Sequence, residues 1–193
     1  MYYADRIYQI NLAIAGIAIG IIILPNLSRY VKSKNKIKLE ILQNKSLELS
    51  LFLSLPATLA LIFASEEIVS ALFGYGSFNE ESVKNSALAL FYFALGLPAF
   101  SMIKIFSSFI FARNDTKTPF YFSLISVIVN IVISVSLFSK LGFIIIPIAT
   151  TVSSWLNGLL LMIFVINKNY FNFNHSFFTV SYTHLTLPTI YSV

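Results

Sequence analysis

The 193-residue chain has no cysteine, one tryptophan, two histidines and little charge, with only 11% of its residues Asp, Glu, Lys or Arg. Without cysteine there is no disulfide, no thiolate metal site and no thiol nucleophile. His175 and His184 are too few and too late in the chain to build a histidine metal cluster. A soluble domain carries about 25% charged residues. The deficit excludes a water-soluble globular protein, a disordered tail and a nucleic-acid-binding module. Strand-length alternation of polar and apolar residues is missing as well, which excludes a transmembrane β-barrel. So is a secretory signal: Asp5 and Arg6 precede an apolar run too long for a signal core, and no small-residue cleavage site follows.

Hydrocarbon takes the place of charge. Hydrophobic residues make up 57% of the chain, with nineteen Phe and ten Tyr, and the mean hydropathy is +0.81. A helix that crosses a bilayer needs about 20 mostly apolar residues. Five stretches meet that requirement, at 8–27, 47–64, 86–112, 119–139 and 142–166. The expected fold is therefore an all-α, multi-pass transmembrane helical bundle.

The connections set its orientation. The first holds Arg29, Lys32, Lys34, Lys36, Lys38 and Lys45, the third holds Arg113 and Lys117, and the fifth stretch exits at Lys168. The opposite side carries Arg6, Lys84 and Lys140, together with Glu66, Glu67, Glu80 and Glu81 read as solvated loop charges. Cytoplasmic loops collect Lys and Arg, so residues 29–46 and 113–118 are expected in the cytoplasm and 66–85 outside. A chain that starts outside with a charged Asp-Arg pair at the mouth of a helix reads as an internal piece of a longer protein. At the other end, Val180 to Thr189 (VSYTHLTLPT) resembles an in-frame translation of a transposase sequencing adaptor. Residues 179–193 are accordingly expected to be a non-native tail, in which His184 and Pro188 carry no meaning, and 1–178 are the informative part.

Ionisable groups inside a span cost about 2.5–3.5 kcal/mol each and mark function. Lys104 lies deep in the third stretch, about two and a half turns from Arg113. It reads either as a cavity-facing cation for an anionic substrate or as a lysine snorkelling to the headgroups. Asp5 and Arg6 read either as an interfacial anchor beside Tyr2, Tyr3 and Tyr8 or as a phosphate reader, because guanidinium grips phosphate in a two-point fork. Pro25, Pro56, Pro98 and Pro147 interrupt four stretches and are expected to kink them. Gly16 and Gly20 have the spacing that permits close helix contact. Asn11, Asn130, Thr150, Thr151, Ser153, Ser154 and Asn157 are expected to bond between helices. No carboxylate pair within a span, Ser-His-Asp set or glycine-rich phosphate loop is present, so neither catalytic residues nor a metal site are expected, and an enzyme is not indicated.

Three strings carry a resemblance. YYADRIYQINLAIAGIAIGIIILPNLSR (Tyr2 to Arg29), LFGYGSF (Leu72 to Phe78) and ALGLPAFSMIKIFSSFIFARNDTKTP (Ala94 to Pro119) resemble segments of the MviN/MurJ lipid II flippases, within the exporter superfamily that also holds multidrug and polysaccharide flippases. The resemblance implies a two-lobed transporter of about fourteen spans, of which residues 1–178 would be most of the C-terminal lobe. It implies alternating access in the bacterial cytoplasmic membrane, with lipid II as substrate, membrane lipids and other cell-wall synthesis proteins as partners, and no nucleic acid. By position it assigns the family's transport-essential arginine to Arg6, beside Asp5, and a family lysine to Lys104. Ser107-Ser108-Phe109 replaces the usual Ala-Pro-Gly next to it. Some relatives bind sodium through an Asn and an Asp one turn apart plus a Thr; Asn130 and Thr150 match, but Ser134 stands where the Asp would be. The resemblance thus implies no cofactor, with membrane potential as a driving force. Another exporter of the superfamily is the first alternative. A polyprenyl-phosphate transferase is the second, and it would need acidic metal motifs that Glu40, Glu48 and Asp115 do not supply.

Overall fold

A computed structural model describes residues 2–74 and 79–172; the expectations for Tyr75 to Phe78, His175 and the tail at 179–193 lie outside the described residues. Tyr2–Leu12 (α1) passes through a π-helical segment, Ala13–Ala18, into Ile19–Lys32 (α2), giving one helical run. Lys36–Phe63 (α3) follows, then the short Ser65–Phe73 (α4), Glu80–Phe111 (α5), Lys117–Leu141 (α6) and, after one 3-10 turn at Gly142–Ile144, Ile145–Asn167 (α7). The described residues contain no strand.

Helices outrun the apolar stretches because polar residues start and stop them. The Asn35 side chain accepts from the Lys38 N–H at 3.1 Å and starts α3 eleven residues before Leu47. Asn79 does the same for α5 through the Ser82 N–H at 2.9 Å, and Glu80 and Glu81 sit in that first turn, where the helix dipole favours anions. After α2, α5 and α7 the chain turns through a left-handed residue, Lys34, Asn114 and Asn169 respectively. Helices α2, α3 and α5 continue past Pro25, Pro56 and Pro98 without ending, and Pro147 falls in the first turn of α7, where a missing N–H is tolerated. The α pattern changes to a π pattern at Ala13–Ala18, which contains no proline.

Helix α5 is the axis. Gly16 and Gly20 lay the first run along it in parallel, so close that a β-carbon on Gly16 would stand 3.3 Å from the Ser101 Cα, and one on Gly20 3.2 Å from the Ser108 Oγ. The glycine spacing thus makes the close approach expected of it. The Ser108 hydroxyl donates to the Lys104 carbonyl at 2.9 Å and lies 3.3 Å from the Gly20 carbonyl, and α5 stays α-helical through Ser107-Ser108-Phe109. Helix α7 also runs parallel to α5: Thr151 Oγ1 donates to the Tyr92 carbonyl at 2.7 Å and Trp155 Nε1 to the Leu95 carbonyl at 3.0 Å. Helix α6 runs antiparallel to α7, with Asn130 opposite Thr150 and Ser153, and Asn157 opposite Ser123.

Two apolar cores result. One gathers Ala4, Ile7, Tyr8, Leu61, Val69, Leu90, Phe93 and Leu97 near the start of α1; the other gathers Ile23, Leu27, Leu47, Phe106, Phe109, Leu161, Val165 and Phe171 at the opposite end. Glu66 and Glu67, expected in a loop, fall in the first turn of α4, whose Val69 is buried in the first core. Helix α6 keeps a wide exposed apolar face, including Phe120, Tyr121, Ile128, Ile131 and Val135. Lys36–Phe63, Glu80–Phe111 and Lys117–Asn167 are long and apolar enough to cross a membrane, the last folding back on itself at Gly142.

A polar cleft and a cationic mouth

Lys104 is exposed on α5 and lines a cleft of about 330 Å³ between α5, α6 and α7. Around it stand Ser123, Ser126 and Asn130 of α6 and Thr150, Ser153 and Asn157 of α7. Gly16 backs the lysine: a β-carbon there would lie 3.5 Å from the Lys104 Cγ. The structure thus places Lys104, Asn130 and Thr150, which the sequence suggested for two separate purposes, in one cleft.

Hydrogen bonds fix the amide orientations. Thr150 Oγ1 donates to the Ile146 carbonyl at 2.8 Å and Ser153 Oγ to the Thr150 carbonyl at 3.0 Å. Each hydroxyl has spent its proton, so Asn130 must turn Nδ2, not its oxygen, toward them, at 3.3 and 3.2 Å. Asn157 Nδ2 lies 3.4 Å from the Ser123 hydroxyl oxygen, and Asn157 Oδ1 is buried with no donor. The buried Ser134 hydroxyl, one turn beyond Asn130, also has no partner. The side chain of Asn11 lies outside the described residues.

Arg6 and Asp5 sit elsewhere. Ala4, Ile7 and Tyr8 are buried against α5, which leaves Arg6 on the exposed face of α1. Asp5, half-buried, accepts from Gln9 Nε2 at 2.6 Å. Tyr8 stacks on Phe93 with ring centroids 5.1 Å apart, which sets the level of Arg6 on α5. Lys104 is eleven residues further along, about 16 Å at 1.5 Å per residue. Arg6 does not line the Lys104 cleft.

A cluster the sequence did not reveal closes the far end. Arg113, beyond the end of α5, donates through Nη1 to the Phe109 carbonyl at 2.6 Å and through Nη2 to the Tyr170 carbonyl at 2.8 Å. Its guanidinium lies 4.2 Å from the centre of the Tyr170 ring. Burial pushes its pKa down and the neighbouring Tyr170 opposes that shift. Gln43 of α3 donates to the same Tyr170 carbonyl at 2.9 Å. Phe171 is 2% exposed and stacks on Phe109 at 5.6 Å. The segment after α7 thereby clasps α3 to α5. Sequence reading saw Arg113 only as a helix-end marker. A neighbouring acid, Asp115, accepts from the Thr118 hydroxyl at 2.7 Å and from the N–H groups of Thr118 and Lys117 at 3.0 and 3.1 Å. These bonds, the Thr118 hydroxyl foremost, hold its carboxyl below the ordinary carboxylate range.

Among the described residues no group of three or more His, Cys, Asp or Glu could hold a metal. Long charge-poor helices, a polar cleft with one ammonium and cationic residues gathered at the helix ends define a polytopic α-helical membrane protein. Its fold is that of a solved chain described as "Lipid II flippase MurJ, inward closed conformation", with a TM-score of 0.78 at 24% identity, over 95% of this chain and 38% of that one. The family profile described as "Lipid II flippase MurJ" matches residues 1–192. Relatives named "Probable lipid II flippase MurJ" include one from Rhizobium meliloti, 45% identical over 83% of this chain and 30% of its own length. Another from Thermotoga maritima is 37% identical over 78% of this chain and 31% of its own. The chain belongs to the MurJ lipid II flippase family, and it spans about a third of the length of these curated relatives.

Proposed function

We propose that the chain is part of the C-terminal lobe of a flippase that carries lipid II, the undecaprenyl-diphosphate-linked peptidoglycan precursor, from the inner to the outer leaflet of the bacterial cytoplasmic membrane. The observation that carries this reading is the family match along residues 1–192. No bond is made or broken. The work is to move a diphosphate through hydrocarbon, and that needs cations that face a cavity between the lobes. Arg6, on the exposed face of α1 beside Asp5, is suited to the two-point grip of the diphosphate. Lys104 supplies a second positive charge deeper along α5. The polyprenyl tail stays among membrane lipids. Membrane potential, worth about 2.3 kcal/mol per charge per 100 mV, favours inward return of the emptied cationic cavity. Other cell-wall synthesis proteins are proposed partners.

The charge distribution supports the orientation. Arg29, Lys32, Lys34, Lys36, Lys38, Arg113, Lys117 and Lys168 cluster at the end where α2 meets α3, α5 meets α6 and α7 exits, the cytoplasmic end by the positive-inside rule. The test is complementation of a flippase-depleted cell by the Rhizobium meliloti relative with this chain grafted over the matching residues. Arg6→Ala should abolish growth at normal protein level, Arg6→Lys should rescue poorly, and Lys104→Ala should be milder. Normal growth with Arg6→Ala at normal abundance would reduce Arg6 to an interfacial anchor and overturn the assignment.

A further inference from the structure

The first helical run buries one face from Ala4 to Leu27, against α5 and the cores built on it, yet a plain α-helix of this sequence could not do so. In Tyr2–Leu12 the buried residues are Ala4, Ile7, Tyr8 and Leu12; in Ile19–Lys32 they are Ile19, Gly20, Ile23 and Leu27. Each set is one helical face. At about 100° per residue the two faces would stand about 100° apart around a continuous α-helix, which is the turn of one residue. The π segment Ala13–Ala18 takes up that residue. A π turn bonds each N–H one residue further back than an α turn does, so it advances less per residue and brings the two faces onto the same side. The segment lies where the run comes closest to α5: Gly16 is buried, and a β-carbon on it would stand 3.3 Å from the Ser101 Cα.

The direction of Arg6 depends on this turn. Arg6 lies about 180° around the helix from the centre of the buried face of α1, so the docked α1 aims it straight away from α5. Were the whole run α-helical with α2 docked as it is, α1 would be turned by about 100°. Arg6 would swing to the flank, and Asp5 and Gln9, joined at 2.6 Å, would face the core that holds Phe93 and Leu97. A carboxylate in apolar surroundings is costly, and Ala4, Ile7 and Tyr8 would leave that core, so their burial holds the π segment in place. We propose that Ala13–Ala18 is a positioning element for Arg6: by absorbing one residue's turn between the docked faces of α1 and α2, it aims the guanidinium out of the lobe, toward the passing diphosphate. The proposal rests on the flippase reading for what Arg6 meets, but its cross-linking measurement does not depend on flipping.

The test uses the full-length Rhizobium meliloti graft, otherwise free of cysteine, in lipid nanodiscs and in flippase-depleted cells. Deleting Ala13 removes the extra residue, leaves a plain α-helix with both faces still docked, and keeps Arg6 pointing outward. That variant should melt no lower than the parent and support growth as the parent does. Deleting Ala13 and Ile14 together turns α1 by about 100° the other way and should abolish growth. Tyr8 and Phe93, whose rings stack at 5.1 Å, report the turn. With Tyr8→Cys and Phe93→Cys in place, a short bifunctional thiol reagent should join the pair in the parent and in the single deletion, and not in the double deletion. Loss of the cross-link or of growth in the single deletion would overturn the proposal, as would a double deletion that keeps the cross-link. Should the double deletion accumulate poorly, the single deletion decides alone. A double deletion that loses the cross-link yet grows at normal abundance would instead refute Arg6 as the ligand of the diphosphate and leave the phase-setting role of the π segment standing.

Discussion

Replacing Phe171 by alanine tests whether the segment after α7 is a working part of the lobe. Phe171 is 2% exposed, lies 5.6 Å from the Phe109 ring in a stacked arrangement and 6.2 Å from Phe106 edge-on. Removing a buried phenyl ring from a packed core costs about 3–5 kcal/mol. Aromatic pairs contribute about 0.5–1.5 kcal/mol each beyond their buried area. Phe171 stands in a short segment outside any helix, where neighbours can close in on the vacated space, so the lower end, about 3 kcal/mol, is the expected loss. Reversible unfolding of the chain in mixed micelles, followed by helical circular dichroism, gives the number. Phe171→Leu should retain about half of the stabilisation, since it keeps apolar volume and loses both ring contacts. Phe63→Ala is the control: that side chain is 81% exposed, and surface changes stay within about 0.5 kcal/mol. If Phe171→Ala also fell within about 0.5 kcal/mol of the parent, the clasp would hold nothing, and the second core would end at Val165.

Two further outcomes follow from the charge at the helix ends. In the grafted flippase, a cysteine at Glu67 should react with an impermeant thiol reagent added to spheroplasts and one at Ser33 should not; the reverse pattern would invert the orientation. Asp115→Ala should destabilise the start of α6 by about 0.5–2 kcal/mol at neutral pH, as lost helix caps do. Because the folded carboxyl titrates below its ordinary value, its contribution is complete above that ordinary value and disappears as pH falls through the lowered one. The gap between variant and parent, measured by unfolding, should therefore close on acidification; a gap that stayed constant across the whole acid titration would show that the charge plays no part.

The fold was legible where hydrophobicity alone decides it. Runs of some twenty apolar residues have few alternatives to a helix in lipid, and the Gly16 and Gly20 spacing pointed to a close helix contact, whose partner the structure identifies as α5. Helix α4 was not legible, because nine residues with two glutamates look like a loop until Val69 meets a core that other segments build. The prolines marked no helix end: α2, α3 and α5 continue through theirs, as helices packed against neighbours can. The candidate site was legible only in pieces. Lys104, Asn130 and Thr150 stood out individually as polar groups in apolar runs, but their meeting depends on α5 running parallel to α7 and antiparallel to α6. Nothing in the sequence tied Arg113 to Gln43, since their shared acceptor is a backbone carbonyl, which every residue has.

That shared acceptor also bears on how the protein is made. Gln43 is separated from Tyr170 by 127 residues, and chains grow at about 5–20 residues per second. The Gln43 amide must therefore wait roughly 6–25 s after its own synthesis before its partner exists. Arg113 waits for the same carbonyl through the following 57 residues. During that interval α3 and α5 can pack through Leu47, Phe106 and Phe109 but lack the bridge through the Tyr170 carbonyl. Among the described residues this contact is among the last to become available, so a chain stopped before Tyr170 would carry α1 to α7 and leave the Gln43 and Arg113 donors without their shared acceptor.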